Sequence, residues 1–114
     1  MWTIKKSRLF KSQLLLFSKD YKERANIDVA NKFIDSVEDS IDFIKKTPLA
    51  CSIYLDAKEH PLLKQYEFRK WRVKGFQHYV FFRISNNQEI FLDAIYAYKM
   101  DTMIRFGFDF KHSN

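Results

Sequence analysis

The sequence predicts an α+β domain of order β-α-α-β-β-β, in which a helical hairpin packs on a small, mainly antiparallel sheet. Three observations carry this. Apolar residues recur three or four apart through two stretches before residue 47, the signature of amphipathic helices. About three residues separate the stretches, so the two helices must fold back on one another. From residue 68 onward the apolar period drops from 3.6 to 2, which is the period of half-buried strands.

Residues 2–5 alternate apolar and polar and form a short opening strand. Ser7 is placed to cap the first helix, which runs from 8 to about 23 with Phe10, Leu14, Phe17 and Tyr21 at helical spacing and Leu9 and Leu16 widening the stripe. Asn26 caps the second, and Asp28 lies in its first turn, where the helix dipole favours a carboxylate. Ala30, Phe33, Ile34, Val37, Ile41 and Ile44 form its apolar face, opposite a charged one. Thr47-Pro48 ends it, because the residue before a proline is pushed out of the α region. Residues 49–66 are a connection, with 52–55 either a short strand or an irregular link and 62–66 a helical turn after Pro61.

In residues 68–74, Trp71 and Val73 alternate with Lys70, Arg72 and Lys74, giving one apolar face and one cationic face. A turn at 75–78, a strand at 79–84, a polar loop at 85–88 and a strand at 89–98 complete an antiparallel meander, with the early strand on one edge. The expectation is one domain over residues 1–114, with a short tail from about 107.

The chain has 114 residues, 46% of them apolar and 18% aromatic, which is enough apolar surface to order a chain of this size. The longest apolar run, 14–17, is far below the roughly 20 residues that span a bilayer. A non-membrane, cytoplasmic protein is expected. The one cysteine, Cys51, has no partner for an internal disulfide. Neither spaced Cys/His ligands nor a converging carboxylate cluster implies a metal, and no cofactor motif is present. Net charge is +6, in blocks: residues 61–88 carry six basic groups and one acidic, whereas 25–60 carry four and seven. Two basic segments invite a polyanion or an acidic protein as partner.

Specific residues then meet a known pattern. Asn26-Ile27-Asp28-Val29-Ala30 followed by Phe33-Ile34-Asp35-Ser36-Val37 opens the second helix, and Lys46-Thr47-Pro48 closes it. The strands carry Phe68-Arg69-Lys70-Trp71-Arg72-Val73-Lys74-Gly75-Phe76, Tyr79-Val80-Phe81-Phe82-Arg83-Ile84 and a closing Lys99-Met100-Asp101. In this order the motifs resemble the RelE/ParE superfamily of toxins from type II toxin-antitoxin systems, and the close of the last strand resembles the ParE-like branch. The resemblance implies a growth-inhibiting toxin neutralised by a cognate antitoxin. In that branch the target is DNA gyrase, which is bound rather than cleaved; in RelE-like members the toxin cleaves mRNA, usually in the ribosome.

Metal-independent RNA cleavage needs a base, an acid and cations in one pocket. Where RelE-like chains have a tyrosine after the last strand this one has Phe106, and where many have a histidine on that strand it has Ala97. His60, His78 and His112 fall in a connection, a turn and the tail, where most histidines are solvated. The expected reading is therefore non-catalytic, with Arg69, Lys70, Arg72, Lys74, Arg83, Lys99, Asp101, Arg105 and Phe106 contacting target or antitoxin. Arg72 and Arg83 are expected to tolerate Ala with little loss of fold. The enzymatic alternative uses Arg72, Arg83, Lys99 and Arg105 as cations, with Glu67 and His78 as a substitute acid-base pair. A decayed member that only binds antitoxin is the third alternative.

Overall fold

The computed structural model describes residues 2–97 and 101–113. Its elements are β1 (Thr3–Lys6), α1 (Arg8–Arg24), α2 (Ile27–Lys46), β2 (Ser52–Ile53), β3 (Arg69–Arg72), β4 (His78–Ile84), β5 (Glu89–Ala97) and α3 (Thr102–Ser113), with short 3₁₀ turns at Pro48–Ala50 and Leu55–Glu59. The strands form one sheet in the order β1-β5-β4-β3-β2. β1 runs parallel to β5 and every other pairing is antiparallel. No helix among the described residues is long and apolar enough to cross a membrane.

Local chemistry sets the helix ends. Ser7 Oγ accepts from the Phe10 amide at 3.0 Å, and Asn26 Oδ1 accepts from Val29 at 3.0 Å, each satisfying one of the free donors of a first turn. Pro48 follows the last residues of α2 and opens a 3₁₀ turn instead. The hairpin buries Phe10 from α1 and Phe33, Val37, Ile41 and Ile44 from α2 against Val73, Val80, Phe82, Ile90, Leu92 and Ile95 of the sheet.

The opposite face of the sheet, left open in the sequence reading, is covered. Phe68, Phe81, Ala94 and Tyr96 form a second core with Tyr54, Ala57 and Leu63 from the connection and Phe106 from α3. The expected tail from about 107 is thus helical. Phe106 and Phe110 lie four apart, on one side of α3, and both pack on Phe68. Gly107 comes so close to the connection that a β-carbon there would overlap the His60 imidazole.

Between β4 and β5 the register shifts: Phe81 pairs with Ala94 but Phe82 with Leu92, leaving Asp93 as an extra residue. This β-bulge turns Asp93 toward the second face beside Ala94 and breaks the ladder locally. On the other edge of β5, α1 and its cap supply partners. Ser7 Oγ donates to the Asp93 carbonyl at 2.9 Å, and Gln13 Oε1, buried, accepts from the Ile95 amide at 2.7 Å. Since β1 pairs with β5 only as far as Leu92, α1 takes over this edge where β1 stops.

Candidate functional site

The cations of β3 do not form one surface. Lys70 extends over the second face, its Nζ 5.8 Å from the ring centre of Tyr54 and 5.2 Å from that of Tyr79. Arg72 is exposed and donates from Nε to the Phe76 carbonyl at 3.2 Å, and Lys74 is exposed beyond the strand end. Arg69, with its side chain only 13% exposed, donates from Nη1 to the carbonyls of Cys51 (2.8 Å) and Leu49 (3.4 Å) and from Nη2 to Glu67 (3.3 Å). It ties β3 to the chain entering β2, a role its place in a basic run does not reveal.

Arg83 is also committed within the fold. Nε and Nη2 donate to Asp93 Oδ2 and Oδ1 at 2.8 and 2.9 Å, a bidentate pair whose carboxylate side chain is 4% exposed and whose cation is 25% exposed. The guanidinium carbon lies 5.0–5.8 Å from the ring centres of Tyr66, Phe68, Phe91 and Phe110. The bulge makes this possible by aiming Asp93 at Arg83. Burial pushes the Asp93 carboxyl up, and the hydrogen bonds and charge of Arg83 oppose the shift. The expectation that Arg83 is a dispensable contact does not survive, because it is the counter-charge of a buried carboxylate.

The substitute acid-base pair is not assembled. His78 opens β4 on the hairpin side, buried among Phe17, Tyr21 and Phe33 at ring-centre distances of 4.6, 5.9 and 5.0 Å, and its Nδ1 has no hydrogen-bond partner among the described residues. Burial holds its pKa below the usual histidine value. Glu67 stands near the other end of the strand, because Arg69 pairs with Phe82 while His78 pairs with Ala97. β4 from His78 to Ile84 spans about 20 Å at roughly 3.3 Å per residue. The alternation that suggested a turn histidine is extended by one residue into the strand, which carries His78 into the core.

Phe106 is fully buried in the second core and is unavailable for contact with a partner, in contrast to its expected role. Asp101 and Arg105 are exposed. Lys99 lies outside the described residues.

Concavities flank the placed residues, and two of them lie beside the cations of β3. A cleft of about 400 Å³ on the second face is lined by Tyr54, Asp56, Glu59, Lys70, Tyr79 and Asp101, among others. Among the described residues it presents three carboxylates, one ammonium group and no imidazole, and its carboxylates do not converge into a metal-holding group. Burial and the Asp56 and Asp101 charges push the Tyr54 hydroxyl up to about 12, so it stays protonated near neutrality. No local pattern in the sequence marks this cleft, since its walls come from the irregular connection and the start of α3. A groove of about 530 Å³ lies between α2 and β3, where Phe43 stacks on Trp71 with ring centres 4.1 Å apart and planes 6° from parallel. Arg72 and Lys74 line it with Ser36, Asp39 and Ser40.

No protein-family model matches the chain, and no curated protein matches it in sequence. Among solved structures it is similar to a chain of "Chromosomal ParDE TA system from P. aeruginosa", with a TM-score of 0.67 and 15% identity over 85% of this chain and 96% of that one. At that identity the likeness is one of architecture. The hairpin-on-sheet arrangement, with its bulged central strands and edge β1, is the RelE/ParE-like α+β fold.

Proposed function

We propose that the protein is the toxin of a type II toxin-antitoxin pair, of ParE-like action, which arrests growth by binding DNA gyrase and is neutralised by a cognate antitoxin. The fold shared with a ParDE chain supports the pairing with an antitoxin. The observation that carries binding over catalysis is the charge of the second-face cleft. A pocket that cleaves RNA must hold a phosphate and stabilise extra negative charge in the transition state. Among the described residues, Asp56, Glu59 and Asp101 surround Lys70 there and oppose both. The acid-base pair of the enzymatic alternative is also not at hand: His78 is sealed in the core and Glu67 is paired with Arg69, while the Tyr54 hydroxyl is raised to about 12. Gyrase as the target follows from the resemblance of the motifs.

Induction in cells, followed by primer-extension mapping of mRNA and by assay of chromosomal breaks, tests this. The expected result is growth arrest with intact messages and accumulated gyrase-dependent DNA breaks. New ribosome-dependent cuts in mRNA would overturn it in favour of the nuclease.

A further inference from the structure

The second-face cleft gathers polar groups that the fold itself does not satisfy. Asp56 and Glu59 lie three apart in the 3₁₀ turn Leu55–Glu59, where such residues eclipse one another, so both carboxylates rise from the same wall. Asp101, just before α3, brings a third from a separate element. Among the described residues none of the three has a salt-bridge or hydrogen-bond partner. Tyr54 stands with them. Its ring is wedged edge-on against Phe81 at 4.8 Å, the residue is 5% exposed, and its hydroxyl has no hydrogen-bond partner among the described residues. Burial and the charges of Asp56 and Asp101 raise that hydroxyl, so both carboxylates lie close to it. Buried polar groups are ordinarily paired, and one left unpaired on the wall of a cavity marks where a ligand atom belongs. The rings beside it already hold a cation, because Lys70 Nζ lies 5.8 Å from the centre of Tyr54 and 5.2 Å from that of Tyr79.

We infer that this cleft binds a linear aliphatic polyamine, with its ammonium groups on Asp56, Glu59 and Asp101, its methylenes along the Tyr54 and Tyr79 rings, and one N–H donated to the Tyr54 hydroxyl oxygen. Carboxylates that do not converge on one point suit charges spread along a chain better than a single metal ion. The excess of carboxylates over the Lys70 ammonium among the described residues disfavours an anion. About 400 Å³ is near the small end of ligand pockets and fits a slender molecule. Lys70 is a built-in competitor, since its ammonium takes the ring faces and opposes a second cation. The net charge of +6 repels cations at a distance, so selection rests on contacts inside the cleft. The inference does not depend on the growth-arrest reading.

The test is calorimetric titration of spermidine into the full chain, with amide NMR shifts followed in parallel. Expected results are saturable binding, shifts concentrated at Tyr54, Asp56 and Tyr79, and affinity about tenfold or more above that for N-acetyl-lysine methylamide, which offers one ammonium. The Asp56→Asn/Asp101→Asn variant, both side chains being exposed and unpaired, should fold like the parent by urea denaturation and bind about tenfold or more weakly. Tyr54→Phe keeps the ring and should bind about threefold or more weakly, whereas Lys70→Met should bind about threefold or more tightly. Equal affinity for the lysine derivative would assign the cleft to a side chain of a protein partner and overturn the polyamine. Equal binding by magnesium, shifts scattered over the whole surface, or unchanged binding by the double variant would reduce the effect to counter-ion attraction and overturn the site. Preference for adenosine monophosphate over spermidine would overturn its charge assignment. The shifts are read on the parent chain, so they decide the matter even where a variant fails to fold.

Discussion

Replacing Arg83 with Ala removes the cation that, among the described residues, is bonded to Asp93, whose side chain is 4% exposed and receives both guanidinium bonds at 2.8 and 2.9 Å. Removing one partner of a buried pair leaves an uncompensated charge, at a cost of about 3–5 kcal/mol. For a domain of this size that corresponds to a fall in Tm of roughly 12–20 °C. The cost should depend on pH. Burial already raises the Asp93 carboxyl, and without Arg83 it rises further above the unfolded value of about 3.9. A folded carboxyl with a raised pKa is tolerated while protonated, so the variant should lose stability, relative to the parent, as pH rises through that folded value. Urea denaturation of parent and variant at about pH 4 and about pH 7 measures this directly. Arg83→Met with Asp93→Leu removes both charges and should recover most of the loss. The exposed Arg72→Ala should shift stability by no more than about 0.5 kcal/mol. An Arg83→Ala protein within about 1 kcal/mol of the parent near neutrality would refute the assignment of Arg83 to the fold.

Gly107→Ala should cost about 1–3 kcal/mol by chemical denaturation, because its methyl would occupy the space of the His60 ring, and the cost should shrink in a His60→Ala background. His78 is held neutral by burial, with its folded pKa below the unfolded value of about 6.5, so the unfolded chain binds the proton first and stability falls as pH drops below about 6.5. His78→Phe should lack that component of the slope in a pH series of urea melts. Gln13→Ala strands the Ile95 amide at the bulge, with an expected loss of about 1–3 kcal/mol and faster exchange of that amide.

What was legible in the sequence was the part set by neighbours in the chain. Ser7 and Asn26 cap their helices through side-chain oxygens reaching an amide three residues on, and Pro48 stops α2 by local geometry. The periods of three to four and of two placed Phe33, Val37, Ile44, Val73 and Val80 in the core. The third helix carries the same kind of signal, since Phe106 and Phe110 lie four apart on one helical face, but the pair is too short a pattern to mark a helix by itself.

By itself, then, the sequence determined the caps and the span of the first two helices, the order of the strands and the core-facing residues of α2, because these follow from bonds and side-chain periods within a few residues. Only the tertiary structure decided what the charges and rings do. The bulge at Asp93 converts Arg83 from a surface cation into a buried counter-ion; α3 closes a sheet face that alternation alone leaves open; and His78 is carried among aromatic rings by one added residue of strand. These outcomes depend on contacts between residues far apart in the chain, such as Gln13 with Ile95 and Gly107 with His60. Composition and spacing do not encode a partner's position, and so the cation left exposed at the sheet edge, Arg72, is distinguished from the one consumed inside it, Arg83, only once the chain has folded.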